Sequence, residues 1–183
     1  MPVPLAMASV PKLTLVLGGA RSGKSRYAES LIATLAPPWL YVATAEAGDE
    51  EMVARISAHR TRRSSDWRTI DAPRHLVAAL QSAGTTPVLV DCLTLWLSNL
   101  MLAGIDIEAE TAHLERALAA TMAPVVLVAN EVGSGVVPDH PLGRKFRDLQ
   151  GMLNQRMAAR ADSVVLMVAG LPLAVKGALR ETP

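Results

Sequence analysis

The chain has 183 residues, half of them apolar, a formal charge of +1 and a single cysteine. That length suits one domain with a sizeable core. The balanced charge excludes a broad electrostatic footprint for nucleic acid or a membrane surface. The lone Cys92 excludes an internal disulfide and fits a reducing, cytoplasmic setting. With only three Trp, two Tyr and one Phe, the core must be aliphatic and alanine-rich, as in a sheet covered on both faces.

Residues 1–11 are apolar, lack Lys and Arg, and are cut by Pro2, Pro4 and Pro11. This is a poor signal peptide, and a flexible extension is expected ahead of a single nucleotide-binding domain spanning 12–183. No uncharged apolar run approaches the roughly 18 residues of a membrane span. The apolar run 13–18 predicts a buried strand, followed by Gly18-Gly19-Ala20-Arg21-Ser22-Gly23-Lys24-Ser25 and a helix over 25–35 with Tyr27, Leu31 and Leu35 at spacings of four. The octet fits the phosphate-binding loop, G-x-x-x-x-G-K-[ST], in the strand–loop–helix setting where the motif has physical meaning. Glycines let backbone N–H groups face phosphate oxygens, Lys24 reaches the outer phosphates, and the Ser25 hydroxyl is a ligand for Mg²⁺.

Further strands are predicted at 39–43, 87–91, 125–129 and 163–169, all β-branched and apolar without alternation. Further helices are predicted at 49–63, 73–83, 93–103, 107–121 and 142–160. This alternation implies an α/β fold of the P-loop NTPase type, a three-layer sandwich with a mostly parallel central sheet flanked by helices. Ligands in such sheets bind beyond the C-terminal strand ends. Attention therefore falls on Gly18–Ser25, Thr44–Glu46, Asp91 and Asn130–Glu131.

Three constellations carry chemistry. Pro87-Val88-Leu89-Val90-Asp91 is an apolar strand ending in a carboxylate, the Walker B arrangement that holds Mg²⁺ directly or through water. Many strands end in Asp for capping alone; the loop motif is what gives this one a metal-side meaning. Cys92 is expected to pack rather than react. In 55–63, Arg55, His59 and Arg62 or Arg63 share one helical face, with Arg60 beside them. Arginines offer forked donors to phosphate. A histidine among them suits a phosphate ligand, a general base or a nucleophile, although a plain basic surface helix fits the same pattern. Asn130-Glu131-Val132-Gly133-Ser134-Gly135-Val136-Val137-Pro138 predicts a loop over the site. Glu131 stands where the guanine-reading Asn-Lys-x-Asp has Lys, which argues against a switch-type GTPase. The segment 142–160 reads as an amphipathic helix, with Asn154-Gln155 as candidates for contact with a ligand or a second subunit. No role is assigned to His75, His113 or His140, and no Cys/His spacing suggests zinc.

Several motifs in order go beyond the loop. They are Gly18–Ser25; Tyr41-Val42-Ala43-Thr44-Ala45; Glu51-Met52-Val53-Ala54-Arg55-Ile56-Ser57-Ala58-His59-Arg60; Trp67-Arg68-Thr69; Asp91-Cys92-Leu93-Thr94; Asn130–Pro138; Phe146-Arg147-Asp148; and Asn154-Gln155. With this set the chain resembles, from about Leu13 to Val175, the bifunctional adenosylcobinamide kinase / adenosylcobinamide-phosphate guanylyltransferase family of cobalamin biosynthesis. The resemblance implies phosphorylation of the aminopropanol hydroxyl of adenosylcobinamide with ATP or GTP. It then implies GMP transfer from GTP to that phosphate through a guanylylated histidine, here His59. It places nucleotide contacts on Gly18, Gly19, Ala20, Arg21, Ser22, Gly23, Lys24 and Ser25, on Thr44, Ala45 and Glu46, and on Arg60, Thr61, Arg62 and Arg63. Acids after the next two strands correspond to Asp71 and Asp91, and a homotrimer is implied as well. The competing expectations are a single-activity P-loop kinase, in which His59 is dispensable, and a nucleotide-binding regulator without turnover.

Overall fold

The structure is a computed structural model that describes residues 11–46, 48, 57, 61 and 63–179. Apart from Pro11, the expected extension 1–11 lies outside these residues. So do most of the predicted helix 49–63 and, within it, His59, Arg60 and Arg62. Ser57 and Thr61 are helical, and the Thr61 hydroxyl donates to the Ser57 carbonyl at 3.0 Å.

Seven strands form one sheet: β1 (Leu13–Gly18), β2 (Trp39–Ala43), β3 (Trp67–Asp71), β4 (Val88–Asp91), β5 (Val125–Asn130), β6 (Ser163–Val168) and β7 (Leu171–Lys176). Their spatial order is β3-β2-β4-β5-β1-β6-β7. All neighbours are parallel except β6 and β7, which pair antiparallel. The described helices are α1 (Lys24–Ala33), α2 (Leu76–Gln81), α3 (Leu93–Leu102), α4 (Ile107–Ala120) and α5 (Pro141–Arg160).

The period of two along each strand divides the core. Leu13 and Leu15, Val88 and Val90, and Val125, Leu127 and Ala129 face the layer of α2, α3, α4 and α5. Val16, Leu89, Val126 and Val128 face α1, against Tyr27, Ala28, Leu31 and Ile32. Burial on both faces is why these strands read as unbroken apolar runs. Trp96 is wholly buried on the larger side, and its indole Nε1 donates to the Arg74 carbonyl at 3.1 Å. That bond is what lets a polar-tipped aromatic sit in an aliphatic core.

Two strands escaped the sequence reading. β3 is an edge strand whose residues are exposed or half-buried, so it carries no apolar run. β7 is exposed along nearly its whole length and contains Pro172. Pro belongs in a sheet at such an edge, where a missing N–H breaks no ladder. β6 ends at Val168, one residue earlier than expected, because Ala169 and Gly170 make a two-residue turn with φ of 50° and 83°. Positive φ at both positions is the type I′ signature that matches strand twist.

Candidate phosphate-binding site

The loop after β1 is shaped by two glycines. Gly23 is the N-cap of α1, with φ of 93° and ψ of 0°, a left-handed conformation that a Cβ disfavours. Gly18 lies so close to its neighbours that a Cβ there would sit 2.4 Å from Ser22 Oγ and 2.8 Å from the Met167 carbonyl oxygen. No side chain caps α1, and no acidic residue stands in its first turn. Its N-terminal amides and the positive end of its dipole are therefore left for an outside anion. Ser22 Oγ is buried and has no hydrogen-bond partner among the described residues.

Lys24 is only 9% exposed, and its Nζ donates to the Gly19 carbonyl at 2.9 Å. Burial pushes its ammonium below the ordinary lysine value, while the nearby Asp91 carboxylate opposes that shift. Asp91 thus lies within electrostatic reach of the loop, although β5 stands between its strand and β1. One intervening strand means a lateral separation of about 10 Å between the two strands, the span a phosphate chain with its cation would fill.

Asp91 is held from several sides. Its carboxylate Oδ2 accepts the Tyr41 hydroxyl at 3.0 Å, and its backbone carbonyl accepts the Thr44 amide at 3.2 Å. Burial pushes the Tyr41 phenol far above its ordinary value, so it stays a neutral donor. Thr44 is fully buried. Its hydroxyl donates to the Cys92 carbonyl and accepts from the Cys92 amide, both at 2.7 Å. The side chain of Thr44 is therefore committed to bracing the end of β4, and its backbone amide and carbonyl are bonded to Asp91 and Asn99 in turn. Asn99 of α3 adds a brace, donating to the Thr44 and Pro73 carbonyls at 2.8 and 3.0 Å. The peptide Asp91–Cys92 is cis. Cys92 is buried, and that burial pushes its thiol up to about 11. It packs under the site as a protonated group.

Several of the other described candidates lie at or near the C-terminal strand ends. Ala43 is in register with both Asp71 and Asp91, so the two acids flank the end of β2. Exposed Glu46 pairs with Arg74, a residue outside the sequence-based set. Arg63 stacks on Tyr41, its Cζ 3.6 Å from the ring centroid, and its buried Nη1 has no hydrogen-bond partner among the described residues. Thr61 is exposed. The Glu131 amide donates to the Gly18 carbonyl at 3.1 Å, tying the loop after β5 to the phosphate loop. That loop is strapped further by Arg147, which donates to the Gly133 carbonyl at 2.6 Å. Asn154 is buried and donates to the Asn130 carbonyl at 3.0 Å, while its Oδ1 accepts from Gln150 at 2.8 Å. It supports the end of β5 from within α5, and its neighbour Gln155 is exposed. His140 accepts the Leu142 amide at 3.2 Å as the cap of α5, and His113 pairs with Glu110 at 3.1 Å. Both roles are structural. Sequence reading also missed the turn between β6 and β7: the Gly170 amide donates to the Ser22 carbonyl at 3.1 Å, resting the hairpin on the outside of the phosphate loop.

Hard oxygen donors suit Mg²⁺. The half-buried hydroxyl-bearing Ser25 and the Asp91 carboxylate, with one oxygen not taken by Tyr41, are such donors beside the loop. Among the described residues no cluster of three or more His, Cys, Asp or Glu makes a metal cage.

Comparison with known proteins resolves the family. A sequence model of the family described as cobinamide kinase / cobinamide phosphate guanyltransferase matches residues 14–175. The chain belongs to that family. The cobinamide kinase / guanyltransferase family makes it a transferase with both kinase and nucleotidyltransferase chemistry. The chain is 47% identical over 167 residues to the bifunctional adenosylcobalamin biosynthesis protein CobP of Pseudomonas aeruginosa, covering 89% of this chain and 96% of that one. It is 44% identical over 181 residues to the bifunctional adenosylcobalamin biosynthesis protein CobU of Salmonella typhimurium, covering 90% and 99%. The corresponding Escherichia coli protein is 42% identical over 182 residues, again covering 90% and 99%. Among solved structures, an ATPase of a bacterial type III secretion system aligns with a TM-score of 0.53 at 11% identity, covering 89% of this chain and 56% of that one. The Pyrococcus horikoshii protein PH0250 aligns with a TM-score of 0.53 at 8% identity, covering 90% and 86%. At such identities these likenesses concern the fold, which is the P-loop NTPase type expected from the sequence. No helix among the described residues is long and apolar enough to cross a membrane.

Proposed function

We propose that the chain catalyses two successive transfers on one corrinoid. The first phosphorylates the aminopropanol hydroxyl of adenosylcobinamide with ATP or GTP. The second transfers GMP from GTP to that phosphate, giving adenosylcobinamide-GDP and releasing pyrophosphate. The observation that carries this reading is the family match over residues 14–175, in a chain whose phosphate loop is built as described. Both reactions serve cobalamin biosynthesis.

For the kinase step, the residues Gly18 to Ser25 bind the phosphate chain through backbone N–H groups, and Lys24 leaves the Gly19 carbonyl to meet the outer phosphates. Phosphoryl transfer asks the protein for little beyond positioning and charge neutralisation. Ser25 and Asp91 would hold the Mg²⁺ that accompanies the nucleotide. When bound, this ion neutralises charge developing on the phosphate oxygens. Thr44, Ala45, Glu46 and Asp71 border the nucleotide from the ends of β2 and β3.

For the guanylyl step, a ring nitrogen of His59 attacks the α-phosphate of GTP in line, a P–N bond forms, and pyrophosphate leaves. The phosphate of adenosylcobinamide phosphate then attacks the same phosphorus, and the P–N bond breaks to regenerate histidine. Two displacements replace one between two polyanions. Arg60, Thr61, Arg62 and Arg63 surround the charge that develops. What supports this is the family's guanyltransferase activity and the density of arginine around one histidine.

The test is GTP labelled at the α-phosphate, incubated with Mg²⁺ and with native or His59→Ala protein, then denatured and separated. An acid-labile, base-stable label on native protein and none on His59→Ala is the expected outcome. A mutant that still transfers GMP at the native rate overturns the covalent route. We also read the enzyme as a cytoplasmic homotrimer. The exposed apolar edge of β7, with Leu171 71%, Leu173 56% and Val175 61% exposed, supports self-association. Light scattering on Leu173→Lys should show a smaller species than the native protein. An unchanged mass places the interface elsewhere.

A further inference from the structure

Tyr41 lies within β2, two residues before the strand ends, and only 4% of its surface is exposed. A buried phenol needs an acceptor. Most buried side-chain bonds go to backbone or water. This one goes to the Asp91 carboxylate, whose Oδ2 accepts the hydroxyl at 3.0 Å. On the other side, the Arg63 guanidinium lies 3.6 Å from the centre of the Tyr41 ring, and Trp67 meets the same ring edge-on at 6.1 Å. The ring is thus clamped between Arg63, at the end of the segment that contains His59, and the carboxylate that ends β4.

We propose that Tyr41 is a positioning residue that fixes the orientation of Asp91 toward the nucleotide-borne cation. Its hydroxyl commits Oδ2, so that Oδ1 is presented to the cleft in one rotamer. This rests on the metal-side role proposed above for Asp91. Donors behind a ligating carboxylate orient it and tune its basicity, and their loss typically weakens metal binding by 10–100-fold. Arg63 strengthens the arrangement, because a cation over the ring draws electron density from the phenol and makes its hydroxyl a better donor. The carboxylate therefore has its direction set from behind by a group that touches neither nucleotide nor corrinoid.

The test uses the full chain and Mn²⁺ as probe, titrated by electron paramagnetic resonance with the β,γ-imido analogue of ATP bound. Tyr41→Phe keeps the ring, its contact with Trp67 and its stack under Arg63. We expect it to weaken Mn²⁺ binding about 10-fold. Affinity for the nucleotide in the presence of chelator should be unchanged. Tyr41→Phe placed on top of Asp91→Asn should give no further weakening, since the hydroxyl acts only through the carboxylate. If Asp91→Asn weakens Mn²⁺ binding and Tyr41→Phe does not, the positioning role is wrong while the metal-side reading of Asp91 stands. If Asp91→Asn also leaves Mn²⁺ binding at the native level, both fall together.

Discussion

The clamp at Thr44 offers the sharpest test of how the end of β4 is held. Thr44→Val conserves volume in a fully buried position but removes a hydroxyl that bonds the Cys92 amide and carbonyl at 2.7 Å each. The Cys92 carbonyl keeps a second donor, the Trp96 amide at 3.2 Å, whereas the Cys92 amide has no other partner among the described residues. Stranding a buried donor costs about 1–3 kcal/mol, and losing one of two bonds to an acceptor costs about 1 more. The expected loss is about 3 kcal/mol, or roughly 6–12 °C in melting temperature for a chain of this size. Thr44→Ser is the control. It keeps the hydroxyl and removes one methyl group, at a cost of about 1 kcal/mol. Valine should therefore be clearly worse than serine, the reverse of what packing alone requires. Kinase activity should follow the same order, because the braced segment carries Asp91. Differential scanning calorimetry of the three proteins decides it. If Thr44→Val melts at or above Thr44→Ser, the hydroxyl is not what holds Cys92.

Two other expectations rest on single side chains. Lys24→Met should lower phosphoryl transfer at least about 100-fold in a kinase assay, the scale for losing one preorganised charge. Its melting temperature should stay within a few degrees of native, because burial already disfavours the ammonium there. Stability should also fall in acid through the ion cluster joining α4 and α5. Hydrogen bonds from Arg156, followed by those from Arg160, hold the Glu115 carboxyl down at about 2, against an ordinary value near 4.3 in an unfolded chain. A depressed carboxylate stabilises the fold above the unfolded value, and that stabilisation is lost as pH falls from about 5 toward 2. Glu115→Gln should flatten this limb of the urea-stability profile, and an unchanged slope would remove the cluster from the account.

Much of the architecture was legible because its signals are local. The run 13–18, the glycine loop and the periodic helix after it are contiguous, and β2, β4, β5 and β6 announce themselves as apolar strands buried on both faces. β3 and β7 were not legible for the converse reason. As edges they bury little, so their side chains carry no run, and the turn at Ala169–Gly170 lacks the Asn-Gly or Asp-Gly that marks a type I′ hairpin. The candidate site divides in the same way. Lys24, Ser25 and Asp91 follow from motif and strand end. Tyr41 and Thr44 reach Asp91 and Cys92 across 50 and 48 residues. Those contacts exist only because β2 lies beside β4 with Ala43 opposite Asp91. No periodicity in the chain encodes that register. Asn154 was noticed, but its buried bond to the Asn130 carbonyl makes it a prop for β5.

The short turn between β6 and β7 bears on how this protein can be handled. Solvent-facing hairpin tips are ordinarily where a chain accepts an inserted epitope, a fluorescent reporter or new termini. Here the tip supplies the Gly170 amide to the Ser22 carbonyl, and a Cβ at Gly23 would already stand 3.4 Å from Gly170 Cα. A graft at Ala169–Gly170 would pull away a buttress of the nucleotide loop. The loop joining α3 to α4, at Ala103–Asp106 on the rim of the helical layer, is the better place to cut or extend this chain.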